Sequence, residues 1–204
     1  MWKRRAFILK GILGASMLMQ GCATHLPATP EPESVHGSVA IGRAVTVLTG
    51  DRARIYEPAL RSFEIQNQAT KERFTVELES DDEEFVLPLS PGQYELTRVQ
   101  ISEGPFLSMA QIDSTFAIGN DPITYIGTWR FGVDSPKYGR MVSVSMVTNE
   151  DDRNEVAQAA RETYPSLQHG PIASVLPNPP DLQTRLFEVM PYPRVPRYFR
   201  RHWW

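Results

Sequence analysis

The chain has 204 residues, with 21 Lys+Arg against 24 Asp+Glu, four histidines and a single cysteine. The length fits one domain plus tails, the lone cysteine excludes an intrachain disulfide, and a net charge of −3 carries no basic footprint for nucleic acid.

The N-terminus reads as a targeting segment. Lys3, Arg4, Arg5 and Lys10 form a positive n-region and Ile12 to Met19 an apolar h-region. Leu18-Met19-Gln20-Gly21-Cys22 has the form of the lipobox at which bacterial lipoprotein signal peptides are cut. The basic end stays cytoplasmic while the apolar segment enters the bilayer, and small Gly21 lets a peptidase reach the bond before the cysteine. The apolar core is well short of the roughly 20 residues that span a bilayer. The alternative is an ordinary signal peptide with an incidental cysteine. On the lipoprotein reading residues 1–21 are removed and the Cys22 thiol takes a diacylglycerol. Its amine can be acylated as well, which meets the need for more than one chain in stable anchoring. No thiol is then left to attack a substrate or bind a metal. Removal of the leader leaves 17 Lys+Arg against 24 Asp+Glu, a body of about −7. Ala23 in place of Asp after the cysteine resembles Gram-negative lipoproteins sent to the outer membrane, and Arg4-Arg5-Ala6-Phe7-Ile8 resembles a twin-arginine export signal.

Residues 22–36 hold Pro27, Pro30 and Pro32 with no apolar periodicity and are predicted to be a flexible tether. Strands follow. Val39 to Leu48 is β-branched and apolar. Phe74, Val76 and Leu78 alternate with polar residues, as a half-buried strand does, and Phe85, Leu87 and Leu89 form the next alternating set. Ser90-Pro91-Gly92-Gln93 has the chemistry of a type II turn. Tyr94 and Leu96 share one face, but Val99 and Ile101 are out of phase with them, which predicts a bulge near Thr97 and Arg98. Three more strands are predicted over Phe106 to Ile118, Ile123 to Phe131 and Arg140 to Thr148. One helix follows, capped by Asn149 or Asp151, with Val156, Ala159, Ala160, Thr163 and Tyr164 as its apolar stripe and Pro165 ending it. From Pro165 the chain is proline-rich and irregular. The prediction is a mainly β protein: an antiparallel β-sandwich over residues 37–165 with a terminal helix, and an extended basic-aromatic arm over 166–204.

The run Phe85-Val86-Leu87-Pro88-Leu89-Ser90-Pro91-Gly92-Gln93-Tyr94-Glu95-Leu96 resembles the signature of carboxypeptidase regulatory-like and other transthyretin-like or immunoglobulin-like sandwich modules, many of them carried on bacterial lipoproteins. Tyr125-Ile126-Gly127 after Phe116-Ala117-Ile118-Gly119, and a helix ending in Tyr164-Pro165, are similar to later parts of the same lipoproteins. The resemblance covers about residues 37 to 165. It implies a sandwich of that kind and, since such modules are mostly non-enzymatic, a protein without catalysis.

Few residues invite chemistry. Asp81-Asp82-Glu83-Glu84 offers four carboxylates to a hard cation, but consecutive strand residues point to opposite faces, and a solvated loop guarding a strand edge is the competing reading. His25, His36, His169 and His202 lack metal-ligand spacing. Ser108, Ser114 and Ser145 lie outside any Gly-x-Ser-x-Gly, and no phosphate-cradling glycine loop is present. No catalytic residue, metal site or cofactor is assigned. Tyr125, Trp129 and Phe131, placed on one face about Gly127, form either a sugar-stacking platform through Tyr125 and Trp129 or ordinary sandwich core. Residues 189–204 hold Arg194, Arg197, Arg200 and Arg201, no acid, and Tyr192, Tyr198, Phe199, Trp203 and Trp204. That is the composition of interface hot spots. Arg194, Arg197, Tyr198, Arg200, Arg201, Trp203 and Trp204 either bind a partner or fold back on the acidic body. The expected function is a lipid-anchored envelope protein, periplasm-facing or at the surface, with a structural or accessory role toward an envelope protein or glycan. The alternative is a glycan- or cation-binding module, and a hydrolase comes third.

Overall fold

The computed structural model describes residues 23–49, 55–80, 82–134 and 140–189, and their alternating hydrophobicity is resolved into two sheets and a helix. The elements are β1 (Ala23–Pro27), β2 (Val39–Leu48), β3 (Pro58–Asn67), β4 (Arg73–Glu77), β5 (Asp82–Pro88), β6 (Gly92–Glu103), β7 (Phe106–Ile118), β8 (Ile123–Val133), β9 (Met141–Val147), α1 (Glu150–Thr163), β10 (Ile172–Ser174), β11 (Asp181–Arg185) and β12 (Phe187–Val189). One sheet runs β1-β4-β3-β6-β7-β12. The other runs β11-β9-β8-β2-β5, with β10 also paired to β8. Phe63, Ile65, Leu96, Val99 and Ile112 of the first sheet meet Phe85, Leu87, Trp129, Phe131 and Val144 of the second in a continuous core. The outer face of the second sheet is covered in turn: Val39, Ile41, Ile123 and Tyr125 pack beneath Val156, Ala157 and Ala160 of α1. Two layers of sheet and one of helix therefore share two apolar interfaces.

The sheets are mixed rather than wholly antiparallel. β1 lies parallel to β4, and β2 and β10 lie parallel to β8. Parallel neighbours need a long connection, and between β2 and β8 the chain builds β3 to β7. The motif around Pro91-Gly92 also has a different role from a hairpin. β5 belongs to the second sheet and β6 to the first, so this is the corner where the chain changes sheets. Gly92 lies outside the positive-φ region that a type II turn requires. Buried Tyr94 instead holds the corner, its hydroxyl donating to the Ser90 carbonyl at 2.8 Å. The bulge near Thr97 and Arg98 is present, the register slipping against both neighbours between Leu96 and Arg98. Asn149 caps α1 through its side chain, which accepts from Asp151 N at 3.0 Å. Ala157 is buried in the helix stripe and Thr163 is exposed, because Val156, Ala157, Ala160 and Tyr164 follow one face at 3.6 residues per turn.

Two segments read as loose are built into the sandwich. Within the predicted tether, β1 opposes β4 over its whole length, and the Ala28 carbonyl then accepts from Val86 N of β5 at 2.8 Å. Ala28 and Val35 are buried, and the Tyr164 hydroxyl donates to the Pro30 carbonyl at 3.0 Å. Residues 23–36 are thus a strap over one open side of the sandwich, not a tether. The opposite side is closed from the other terminus: β11 pairs with β9, Leu186 enters the core, and β12 pairs with β7. The part of the predicted arm up to Val189 is therefore docked. The physical reason is the same on both sides. Edge strands present unpaired N–H and C=O groups, and any extended backbone can satisfy them without an apolar pattern of its own.

Candidate functional site

Strand β8 runs through the middle of the second sheet, and its phase changes at Gly127. Opposite the single residue Gly42 of β2 stand both Ile126 and Gly127, a bulge between the pairs Ile41–Tyr125 and Arg43–Thr128. Gly127 has φ +96, and a Cβ there would lie 2.9 Å from the Val147 carbonyl oxygen, so only glycine fits. The bulge separates the residues expected on one face. Tyr125 points toward α1, whereas Trp129 and Phe131 point between the sheets. Both Tyr125 and Trp129 are 0% exposed, so neither offers a ring for stacking, and the core reading is the one that holds. Trp129 sits among Phe63, Phe85 and Phe116 at centroid distances of 5.2, 5.3 and 6.1 Å, and its Nε1 donates to the Ile126 carbonyl at 2.9 Å.

Beneath α1 the same bulge creates a short polar chain. The Thr128 hydroxyl donates to the Asp152 carboxylate at 2.9 Å and, its proton being used, accepts from the Tyr125 hydroxyl at 3.1 Å. This links β8 to the first turn of the helix, where an acidic residue is favoured. Arg43 pairs with Glu155 at 3.5 Å on the same face of the sheet. Burial pushes the Tyr125 hydroxyl above its ordinary 10.0, with the Thr128 bond opposing and Asp152 adding to the shift. Burial raises Tyr94 and Tyr164 as well. The unfolded chain would ionise these tyrosines first, so the stability they confer is complete below about pH 10 and is lost as pH rises through the raised values. Denaturant midpoints are expected to fall steadily above about pH 10, with tyrosinate absorbance growing in step with unfolding. A midpoint flat through that range would show that these hydroxyls are not buried in solution.

Of the remaining candidates, His36 and His169 are exposed, and others are taken up structurally or lie outside the described residues. The Glu83 carboxylate accepts from Glu79 N and Ser80 N at 2.6 and 2.9 Å and so closes the loop from β4 to β5. Asp81 lies outside the described residues, among which no group of three His, Cys, Asp or Glu is placed to hold a metal. His25 stands 3.3 Å from Glu77 on an exposed edge. Ser114 donates to the Pro179 carbonyl at 2.8 Å. No helix of the described residues is long and apolar enough to cross a membrane. Cys22, His202 and the arm residues Arg194, Arg197, Tyr198, Arg200, Arg201, Trp203 and Trp204 lie outside the described residues.

What the structure does place is the end of the sandwich that holds Val189, the last described residue. Val189 opposes Leu107, one residue from Phe106. At this same end β2 finishes with Leu48, the chain enters β3 through Ile55 and Tyr56, and β6 turns into β7 at Gly104. Leu48, Ile55, Tyr56 and Phe106 are all exposed, Ile55 by 90%. Tyr56 packs against Gly104, whose φ is +56 and where a Cβ would collide with the ring. Beside them Glu103 and Arg140 form an ion pair at 2.6 Å, both largely buried, and the Arg185 guanidinium lies 5.3 Å from the Phe187 ring centre. Sequence reasoning missed this end because its apolar residues are spread from position 48 to 106. The one local signal was Ile55-Tyr56, two large apolar residues with no strand around them.

No family model, curated protein or solved structure matches this chain.

Proposed function

We propose that this is a lipid-anchored cell-envelope protein with a structural or accessory role rather than an enzyme, acylated at Cys22 and placed at the outer membrane. It binds an envelope protein through the arginine- and aromatic-rich arm and the apolar end beside it. The observation that carries this is the position of Val189, the last described residue, next to Phe106 at an end where Leu48, Ile55 and Tyr56 are also exposed. Exposed apolar side chains flanked by arginine and aromatic residues have the composition of interface hot spots. The fold type is an immunoglobulin-like or transthyretin-like sandwich. In its favour are the corner between β5 and β6, with its buried Tyr94 bonded back to Ser90, and the run from Phe85 to Leu96 that encodes it. A glycan-stacking role finds no exposed ring at Tyr125 or Trp129.

The test is native sizing after gentle detergent extraction of separated inner and outer membranes. Wild type is expected in the outer membrane within an assembly several times larger than a single acylated chain in the same detergent. Cys22→Ser should leave the membrane fraction. A chain lacking residues 190–204 should stay on the membrane and lose the assembly. Wild type running as a lone small species, or an assembly indifferent to the arm, would overturn the partner reading, and membrane retention of Cys22→Ser would overturn the anchor.

A further inference from the structure

The strap formed by residues 23–36 leaves no free chain between the acylation site and the fold. Strand β1 begins at Ala23, the residue after Cys22, with Ala23 opposite Arg73. A fourteen-residue flexible tether would let the domain wander roughly 20 Å from its anchor, whereas one peptide unit spans about 3.8 Å. The strap is also firmly held. Leu26 packs on the core, Ala28 and Val35 are buried, and Tyr164 bonds Pro30.

Register shows which end of the sandwich the anchor occupies. The row through Ala23 continues across Arg73, Gln66, Glu95 and Thr115, beside the turn that joins β3 to β4. That turn is well fastened: the Asn67 side chain accepts from Ala69 N and Thr70 N at 2.9 and 3.0 Å, and Gln68 N donates to the Gln93 carbonyl at 2.8 Å. It presents exposed Ala69, Thr70, Lys71, Glu72 and Arg73. The row through Val189 instead continues across Leu107, Ser102 and Ala59. On β6 the two rows are separated by the span from Glu95 to Ser102, about 23 Å at strand rise.

We propose that acylated Cys22 holds the sandwich end-on against a phospholipid leaflet, with the turn at residues 67–72 at the headgroups. Leu48, Ile55, Tyr56, Phe106 and the root of the arm are then carried on the far end, directed away from the bilayer. The proposal rests on the acylation in the reading above and adds to it the surface that meets lipid and the direction the partner surface faces.

The full lipidated protein, reconstituted in phosphatidylethanolamine–phosphatidylglycerol vesicles doped with a headgroup nitroxide lipid, tests it. Acylation leaves Cys22 without a thiol, so Ala69→Cys and Ile55→Cys, both at exposed positions, take a fluorophore at one site each. Thermal melts matching wild type certify the fold. Quenching several-fold stronger at position 69 than at position 55 is expected, and equal or reversed quenching would overturn the orientation. A Gly/Ser linker of the tether's length inserted between Cys22 and Ala23 should erase the difference. Its persistence would show that the short attachment is not what orients the domain. Mass analysis of the Cys22 peptide separates the two claims: absence of the acyl chains overturns the anchor itself, whatever the labels report.

Discussion

Trp129→Ala is expected to remove about 3–5 kcal/mol of folding stability, a large part of the roughly 5–15 kcal/mol that holds a domain of this kind. The indole is wholly buried and forms the centre of a ring cluster with Phe63, Phe85 and Phe116, drawn from both sheets. Truncation empties a large volume that backbone-bonded strands on either side cannot close. It also leaves the Ile126 carbonyl without the donor it has at 2.9 Å, inside the bulge. Trp129→Phe retains most of the apolar volume and loses the hydrogen bond, so a smaller loss, of about 1–3 kcal/mol, is expected. Urea denaturation followed by far-UV circular dichroism reads both. A Trp129→Ala chain with an unchanged midpoint would return this side chain to the surface and revive the stacking role.

Gly127→Ala is the second large effect. The residue has φ +96, where an L side chain is strained by about 1–3 kcal/mol, and its Cβ would approach the Val147 carbonyl oxygen to 2.9 Å. Backbone on β9 is a poor candidate for moving aside, since that strand is paired with β8 and β11. Gly119→Ala is the control: its Cβ would meet nothing nearer than the Asp121 carboxylate at 3.4 Å. A fall in midpoint for Gly127→Ala against near-neutrality for Gly119→Ala is the expected result, and equal behaviour of the two would refute the bulge. Deleting Gly127 instead leaves Ile126 alone opposite Gly42, a regular ladder in which Thr128 keeps the helix side and Trp129 and Phe131 stay between the sheets.

These two residues also mark how far the amino-acid order could be read. Long apolar strands were legible, and β2, read from its β-branched apolar run, and β7 have the bounds expected of them. The helix was legible through its cap, its acidic first turn and the proline beyond it. Alternation across a bulge was readable at Thr97 and Arg98, where apolar residues on both sides showed the slip. It was not readable at Gly127, because Tyr125, Trp129 and Phe131 kept an even spacing that concealed the change of face. Strand β3 had no counterpart in the sequence reading for the same reason. Arg61 is the extra residue against β6, so Leu60 and Phe63 face the core from three positions apart, a spacing that alternation does not recognise.

The candidate site divides in a similar way. The lipobox and the composition of the arm are local patterns, and local patterns need no fold to be seen. The exposed end made by Leu48, Ile55, Tyr56 and Phe106 exists only because three chain segments, the end of β2, the entry to β3 and the start of β7, meet at one end of the sandwich.

By itself the sequence determined a mainly β chain with one capped helix, since side-chain period and capping chemistry act over a few residues. Only the tertiary structure decided that β2 and β8 lie parallel, that α1 covers the second sheet, and that residues 23–36 and the described part of the C-terminal flank, up to Val189, are paired into the sandwich. Those outcomes depend on backbone hydrogen bonds at sheet edges and on burial shared by distant segments. Neither quantity is written in the order of neighbouring residues.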